Sequence, residues 1–283
     1  MRALPPLVIE PIVRAALLED LGRAGDVTTD AIIPAAATTT VQLVSREPGV
    51  VAGLPLAVLA WQFVDPAISI EQHLPDGSRV EPGSVIATAT GPARGLLTGE
   101  RVALNFLGHL SGVATGTATI ADAIAHTHAK VADTRKTIPG LRALQKYAVR
   151  CGGGVNHRFG LDDAVLIKDN HIAVAGGVRR AVEAARAHAG HLVKIEVEVD
   201  SLAMLAELLE VGADVVLLDN FTPDRLRQAV ALVDGAMVTE ASGRITPETA
   251  VPIAEAGVDL ISVGWLTHSA RVLDIGLDHV SRP

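Results

Sequence analysis

Short apolar runs recur at regular intervals in the second half of the chain. Four of them are KIEVEVD (194–200), ADVVLLDN (213–220), AMVTEASG (236–243) and VDLISVG (258–264). Continuous apolar runs of this length are typical of strands that are buried on both faces of a parallel sheet. Two earlier runs, KVADT (130–134) and AVLIKD (164–169), extend the series to six predicted strands.

Helical patterns separate these runs. In SLAMLAELLEVG, Ser201 is a predicted N-cap and Gly212 a predicted C-cap. In TPETAVPIAEAG, Thr246 stands before Pro247 at the start of a predicted helix that ends at Gly257. Repeated β/α units of this kind close into a barrel or form an open doubly wound sheet. Polar residues recur at the C-terminal end of every strand, where barrel enzymes place their chemistry, and we therefore predict a barrel.

The first part of the chain has a different pattern. Runs typical of strands, TTTVQLVSREPGVVAG, AISIEQHL and DGSRVEPGSVIATATG, are joined by Gly and Pro turns and predict a separate α+β domain. The DGSRVEPG turn is similar to that of biotinyl and lipoyl carriers, but residues 1–129 contain no lysine that could be modified. In the long helical stretch that follows, Gly108, Gly112 and Gly116 lie on one face, which indicates close helix packing.

The composition argues against several classes of protein. The chain has 283 residues, 49% hydrophobic and 20% charged, with Cys151 as the single cysteine. No apolar run approaches the ~20 residues of a membrane span, so we expect no membrane partner. Prolines and acids interrupt the N-terminus where a signal peptide would be apolar, and we expect a cytoplasmic protein. A net charge of −8 and 2% aromatic residues argue against nucleic acid.

Positive charge is concentrated between residues 130 and 171, which hold eight Lys or Arg residues and four Asp in an acidic chain. Arg135, Lys136 and Lys168 lie at or just after predicted strand ends, and Arg158 follows a triple-glycine stretch together with His157. Arg binds carboxylates and phosphates in a bidentate manner, and Lys supplies a compact charge. Several cations at one barrel mouth would repel one another, which indicates a multiply anionic ligand. For any single cation, an ion pair with a neighbouring acid is the ordinary alternative.

Acidic side chains gather further along the same predicted sheet. Glu196, Glu198 and Asp200 alternate along one strand and therefore point to one face. Asp219 and Glu240 lie at later strand ends. Carboxylates in this arrangement suit Mg²⁺ or sugar hydroxyl groups. The ordinary alternative is that Glu196 and Asp200 are core or rim partners of the basic residues.

Other short motifs narrow the chemistry. ASG (241–243) and VGWLTHS (263–269) are predicted strand-to-helix turns whose backbone N–H groups can hold a phosphate. The P-loop pattern GxxxxGK[ST] does not occur. His126 and His128 form an HxH pair with no third ligand at metal-site spacing, which argues against zinc. Cys151 lies at a predicted helix end, and we interpret it as a packing thiol rather than a nucleophile.

Several segments together resemble quinolinate phosphoribosyltransferase, also called carboxylating nicotinate-nucleotide pyrophosphorylase. They are, in chain order, TGERVALNFLGHLSG, DTRKTIPGLRALQKYAVRCGGGVNHR, IKDNH, EVEVDS, LLDN, EASG and SVGWLTHS. The resemblance covers nearly the whole chain, and the combination of DTRKT, GGGVNHR and IKDNH is highly specific. One departure is Trp265, which stands in the second turn where the family more often has a small residue.

The resemblance implies a fold of the α/β plus α+β class. Residues 113–269 would form a C-terminal incomplete α/β barrel, and residues 1–112 a smaller N-terminal α+β domain, an open-faced sandwich, with the tail 270–283 packed back on it. The implied reaction joins quinolinate to phosphoribosyl pyrophosphate and gives nicotinate mononucleotide, pyrophosphate and CO₂, with Mg²⁺ as cofactor, in de novo NAD biosynthesis. The implied assembly is a homodimer with a shared active site, with a higher oligomer left open.

The resemblance also implies roles for individual residues. The groups around the two carboxylates of quinolinate would be Arg135, His157, Arg158 and Lys168, joined by Arg101 from a neighbouring subunit. Lys136 would lie toward the phosphoribosyl substrate, and the ligands of the ribose hydroxyls and Mg²⁺ would be Glu198 and Asp219. The implied 5′-phosphate cradle consists of Ser242, Gly243, Gly264 and His268. The implied catalytic groups are Lys136, Lys168, Glu198 and Asp219.

Three alternatives stay open at this point. Lys168 ends a predicted strand and could form a Schiff base, as in a class I aldolase. The basic cluster could also belong to a non-catalytic anion-binding barrel. Within the family resemblance, the substrate could be another acid or base.

Overall fold

The computed structural model describes residues 4–280, and these form two compact units. The first unit comprises the described residues up to Ala118, Pro139–Gly153 and those from Ser269 onward; the second comprises Thr119–Ile138 and Gly154–His268. The predicted barrel domain begins at residue 113, but residues 113–118 and 139–153 group with the first unit. Apolar side chains of the second segment, among them Leu144 and Val149, pack in the core of that unit.

Nine elements precede the barrel strands in the described chain. They are α1 (Pro6–Leu21), α2 (Val27–Ile32), β1 (Thr38–Ser45), β2 (Gly49–Val50), α3 (Leu54–Val64), β3 (Ser69–Gln72), β4 (Arg79–Val80), β5 (Val85–Pro92) and α4 (Ala93–Ala123).

Fourteen elements follow. They are β6 (Lys130–Ala132), α5 (Arg142–Cys151), β7 (Val165–Ile167), α6 (Asp169–Ala175), α7 (Val178–His188), β8 (Ile195–Val199), α8 (Leu202–Val211), β9 (Val215–Asp219), α9 (Pro223–Val233), β10 (Val238–Ser242), α10 (Pro247–Ala254), β11 (Leu260–Ser262), α11 (Trp265–His268) and β12 (Ile275–His279).

The first unit is built on an antiparallel sheet with the strand order β12-β1-β5-β3. From Thr40 to Leu43 of β1, Val41 and Leu43 are buried while Thr40 and Gln42 are partly exposed, and the end of the strand, Val44 and Ser45, is buried on both sides. This alternation is typical of a sheet with one face on the core and the other toward water. The predicted tail packs here, because β12 pairs with β1 from Val41 to Ser45; residues 281–283 of that prediction lie outside the described residues.

The glycines of α4 permit a close approach within the first unit. A Cβ atom on Gly112 would lie 1.7 Å from the carbonyl oxygen of Arg271, and one on Gly108 would lie 2.9 Å from Val272 Cγ1. Larger residues would push this segment of the chain off the helix. The packing interpretation of these glycines therefore agrees with the structure.

The second unit is a parallel sheet with the order β6-β11-β10-β9-β8-β7, and its strands are the six predicted ones. The edge strands β6 and β7 do not pair with each other in the described structure, and Val155 forms a bridge beside Ala132 of β6. The sheet is therefore a barrel that does not close. Because all six strands are parallel, their C-terminal ends lie at one edge.

Capping residues fix most helix boundaries as predicted. Ser201 accepts a hydrogen bond from Met204 N–H at the start of α8, and Gly212 ends that helix. Thr246 caps α10 in the same way. The predicted end of α10 at Gly257 is wrong: the helix ends at Ala254, and the following turn reaches Gly257, whose φ of 93° favours glycine.

Candidate active site

A cavity of about 840 Å³ opens where the strands of the second unit end. Its walls include eleven of the twelve residues selected from the sequence: Arg135, Lys136, His157, Arg158, Lys168, Glu198, Asp219, Ser242, Gly243, Gly264 and His268. The twelfth, Arg101, lies on α4, and its side chain is 63% exposed.

Two half-buried arginines line this cavity, Arg135 and Arg158, and each has one nitrogen without a protein partner. The Nε atoms of Arg135 and Arg158 are buried and have no hydrogen-bond acceptor, although Arg158 donates through NH1 to the carbonyl oxygen of Ala164 at 3.1 Å. Burial, and then the nearby charge of Arg135, lower the pKa of Arg158. Adjacent like charges with unused donors indicate a site for an anion with several acceptor oxygens.

Lys168 and Glu198 form an ion pair across the ends of β7 and β8. Lys168 Nζ lies 2.5 Å from Glu198 Oε2. The nitrogen that a Schiff base would use is therefore engaged by an acid at the cavity wall, which argues against the aldolase alternative.

Asp219 is held at the end of β9 by its neighbours. Ser242 Oγ donates to Asp219 Oδ1 and Asn220 Nδ2 donates to Oδ2, both at 2.6 Å. Asn220 has a φ of 57°, and a Cβ atom on Gly243 would lie 2.2 Å from Asn220 Oδ1. Residue 243 must therefore be a glycine, because the Asn220 side chain approaches its backbone closely. Asn220 was not among the site residues predicted from the sequence.

The carboxylates of Glu198 and Asp219 fit a magnesium ion by their chemistry. Both side chains line the cavity, and each oxygen of Asp219 accepts one hydrogen bond and retains a lone pair. Mg²⁺ is commonly held by one or two carboxylates together with substrate phosphates. Two carboxylates of the kind that such an ion uses therefore line the cavity, one of them also paired with Lys168.

A buried triad lies at the base of the cavity. His157 Nε2 is 3.0 Å from Glu196 Oε2 and 3.6 Å from Glu240 Oε1. The backbone N–H of Arg158 donates to His157 Nδ1 at 2.7 Å, so Nδ1 is an acceptor and Nε2 carries the proton toward Glu196. The Glu196 contact matches the alternative that this acid is a core partner of the basic residues.

Glu240 is the most enclosed acid of this triad. Its side chain is 2% exposed, and burial, followed by the charge of Glu196, raises its pKa to about 7. In the described residues the triad is also the one group of three side chains whose ligand atoms lie close enough to hold a metal ion, within 4.8 Å of one another.

Asp133 supports the loop that carries His157. It is fully buried, and its carboxylate accepts from His157 N–H at 3.0 Å and from Asn156 Nδ2 at 2.5 Å. Sequence reasoning missed Asp133 and Asn156 as site residues. The signal that could have identified both residues is their position within the segments DTRKT and GGGVNHR.

The remaining motifs are structural. His126 pairs with Glu255 at 3.1 Å and His128 with Asp259 at 3.5 Å, so the HxH pair is directed to two separate acids. Cys151 is buried, and burial together with the charge of Asp76 raises the pKa of its thiol to about 12.

Of the helices in the described residues, none has the length and hydropathy needed to cross a membrane.

The fold and the cavity define a class of protein: an α/β-barrel enzyme whose strand ends bind a small, multiply anionic substrate. Family models described as the N-terminal and C-terminal domains of quinolinate phosphoribosyl transferase match residues 26–111 and 113–278. The chain belongs to the quinolinate phosphoribosyltransferase family, which confirms the resemblance and the predicted fold class.

Individual relatives agree over nearly their whole lengths. The chain is 48% identical over 271 residues to nicotinate-nucleotide pyrophosphorylase (carboxylating) of Mycobacterium leprae (strain TN), covering 94% of this chain and 95% of that protein. It is 43% identical over 272 residues to the probable enzyme of the same name in Bacillus subtilis (strain 168), covering 96% and 93%. The crystal structure of NadC from Streptococcus pyogenes matches with a TM-score of 0.95 at 41% identity, covering 99% of this chain and 100% of that one.

Proposed function

We propose that the protein joins quinolinate to phosphoribosyl pyrophosphate and forms nicotinate mononucleotide, pyrophosphate and CO₂, a step of de novo NAD biosynthesis. The enzyme is a decarboxylating pentosyltransferase. One observation carries the proposal: the unpartnered Nε–H groups of Arg135 and Arg158 share a cavity with the glycine turns at Gly243 and Gly264. The first pair suits a dicarboxylate, and the turns suit a phosphate.

Binding of the acid would use the cations at the ends of β6 and β7. Arg135 and Arg158 offer donors toward the two carboxylates, and Lys168 adds a charge at the cavity wall. His157 has both ring nitrogens directed at protein atoms, Arg158 N–H and Glu196. We therefore assign His157 mainly to holding the Arg158 backbone beneath the substrate.

Transfer of the phosphoribosyl group needs little base catalysis. The pyridine nitrogen of quinolinate already has a lone pair that can attack the ribose carbon C1, and no proton has to be removed first. The side chains then have to orient the two substrates and neutralise the departing pyrophosphate, for which Lys136 and Lys168 are placed at the cavity. Glu198 and Asp219 would hold Mg²⁺, which supplies further charge neutralisation on the pyrophosphate.

Decarboxylation follows from the charge on the ring. Once ribosylated, the ring nitrogen is cationic and stabilises the electron pair left on the neighbouring carbon when the C2 carboxylate leaves as CO₂; a proton then adds to that carbon. The contribution expected from Arg135 and Arg158 is to hold the carboxylates in the correct orientation. No nucleophilic side chain is required, in agreement with the buried, high-pKa thiol of Cys151.

The test is CO₂ release from purified protein. Quinolinate labelled in its C2 carboxylate should lose label only when phosphoribosyl pyrophosphate and Mg²⁺ are both present, and chelation of the metal should stop the reaction. Nicotinate, which lacks that carboxylate, should form nucleotide poorly. Absence of release with both substrates would overturn the proposal, and preferential use of nicotinate would favour the alternative of a different acid substrate.

We further propose that the homodimer is the minimal active unit and that the protein is cytoplasmic. The support for the dimer is Arg101, an exposed cation on α4 with no acid nearer than Glu100 at 3.9 Å in the described structure. Arg101→Ala should abolish activity, while mixing it with Lys168→Ala should restore part of it, because one site in the mixed dimer has both residues. Failure of the mixture to recover activity would argue against a shared site.

A further inference from the structure

Two loops meet at one end of the cavity and are fastened together by Trp265. The first follows β10 and contains Gly243, Arg244 and Ile245; the second follows β11, contains Gly264 and leads into Trp265, the first residue of α11. The indole N–H of Trp265 donates to the carbonyl oxygen of Ile245 at 2.9 Å. Both loops line the cavity, so this bond fixes the spacing between two turns that carry backbone N–H groups.

Arg244 has an unfavourable backbone conformation in the first of these loops. Its φ is 48°, in the left-handed region, and it lies between Gly243 with a φ of 106° and the buried Ile245. Residues with a Cβ atom are disfavoured there, and such strain is commonly retained where a side chain serves a ligand.

The Arg244 side chain has no local contact that explains this conformation. It is exposed at the cavity wall, and within residues 4–280 it has neither a hydrogen-bond acceptor nor an ion-pair partner. Asp219, the carboxylate at the end of the neighbouring strand β9, is already bonded to Ser242 and Asn220. Arg244 thus presents an unused guanidinium group beside the two turns.

We infer that Arg244 binds the 5′-phosphate of the phosphoribosyl substrate and that Trp265 is a positioning residue that holds its loop in place. This inference rests on the proposed function and adds a charged group to a cradle otherwise made of the backbone of Ser242, two glycine turns and His268. A phosphate dianion gains more from a permanent cation than from neutral N–H donors alone. The guanidinium group can also form two parallel bonds to phosphate oxygens, which a lysine cannot.

The decisive variant is Arg244→Gly, because it relieves the backbone strain at residue 244 and removes the guanidinium group at the same time, and the two changes affect different measurements. Glycine adopts a φ of 48° freely, so the thermal midpoint should stay the same or rise by a few degrees. The Michaelis constant for phosphoribosyl pyrophosphate should rise about tenfold, the loss expected for one charge-assisted contact, while that for quinolinate changes less than about twofold. Arg244→Lys should show an intermediate rise.

Arg179→Ala is the matched control, because it removes one arginine from α7, where Arg179 pairs with Glu210. Its kinetic constants should match those of the unchanged protein. Trp265→Phe should raise the Michaelis constant for phosphoribosyl pyrophosphate about threefold with little effect on kcat, since a misplaced loop weakens binding. An Arg244→Gly variant with an unchanged constant, or with equal losses for both substrates, would overturn the inference.

Binding without turnover distinguishes this inference from the proposed reaction. The chain has two tryptophans; Trp61 is fully buried and bonded to Leu96, so a change of emission with ribose 5-phosphate should come from Trp265 and vanish in Trp265→Phe. Arg244→Gly should raise the half-saturating concentration of ribose 5-phosphate about tenfold and leave that of pyrophosphate within about twofold. If Arg244→Gly weakened the binding of pyrophosphate alone, the assignment of Arg244 to the 5′-phosphate would be contradicted, even in a protein without catalytic activity.

Discussion

The two units differ in how far the polar groups of their main side-chain clusters are satisfied by the protein. In the first unit, Asp76 accepts from Gly53 N–H and Leu54 N–H at 3.0 Å and from the Tyr147 hydroxyl at 2.7 Å, and burial and the Asp76 carboxylate raise the pKa of Tyr147. In the second unit, four buried polar atoms have no hydrogen-bond partner, Arg135 Nε, Arg158 Nε, Glu196 Oε1 and Glu240 Oε1, whereas the described part of the first unit has one, Thr39 Oγ1.

This difference separates structural polar groups from functional ones. A buried group with its partners in place contributes to stability, whereas one without partners lowers stability until a ligand arrives. The cluster of the first unit joins the start of α3 to α5 and needs nothing from outside. The cluster of the second unit is incomplete by itself, which is expected of a binding site.

The largest effect should come from Arg158→Ala. Loss of a carboxylate-binding guanidinium should lower kcat/KM about 1,000-fold, equivalent to about 4 kcal/mol of transition-state binding. The free energy of unfolding should change by less than about 1 kcal/mol, because the lost bond to Ala164 is offset by relief of an unpartnered N–H and of repulsion from Arg135. Steady-state kinetics and urea unfolding measure the two quantities.

Arg179→Ala, which removes a surface cation, controls for the change of net charge and should alter neither quantity. If Arg158→Ala instead lost several kcal/mol of stability in step with its activity, Arg158 would be a structural group and the contrast between the units would fail.

The second-largest effect should come from Asp76→Ala, which, in contrast to Arg158→Ala, should lower stability and leave activity unchanged. Removing an acceptor of three hydrogen bonds should lower the free energy of unfolding by about 3 kcal/mol, at about 1 kcal/mol for each net bond. The kcat of the protein that remains folded should be unchanged. Asp76→Asn retains one carbonyl oxygen and should lose about half as much, whereas equal activity losses in both variants would show that this cluster also serves the reaction.

The smallest effect should be the pH dependence introduced by Glu240. Folding raises its pKa from 4.5 to about 7, so over this range the unfolded chain is ionised while the folded one keeps the proton. The free energy of unfolding should therefore be greatest below pH 4.5 and fall as the pH rises through 7, by on the order of 1 kcal/mol for each pH unit.

Glu240→Gln should remove this decline, and urea unfolding between pH 5 and 8 measures it. The exposed Glu210→Gln should retain the decline of the unchanged protein. A Glu240→Gln variant with the same slope would mean that Glu240 is ionised in the folded state.

Most of the fold could be predicted from the sequence, because the strongest signals in the sequence are local. Six buried strands, the caps Ser201 and Thr246, and the family segments each depend on residues close together in the chain. The features that could not be predicted depend on contacts between residues far apart in the chain. Helix α5 joins the first unit through the bond of Tyr147 to Asp76, and no sequence periodicity indicates to which unit this helix belongs.

The same limit applies to the site. Strand-end position identified the cations and acids of the cavity, since strand ends share one edge of a parallel sheet. It could not show that His157 contacts Glu196 and Glu240, because this depends on the course of the loop after α5. Arg244 was missed because its distinguishing property is a backbone angle, which the residue type does not reveal.

The two larger sheets are completed by strands from the last part of the chain: β6 pairs with β11, and β1 pairs with β12. A ribosome that adds about 5 to 20 residues per second needs roughly 10 to 50 seconds to pass from β1 to β12. During that interval β1 exposes a hydrogen-bonding edge that later belongs to β12, and such edges pair with other chains. Newly made protein should therefore depend on chaperones until residue 279 has emerged, and truncation before β12 should yield aggregates rather than a smaller enzyme.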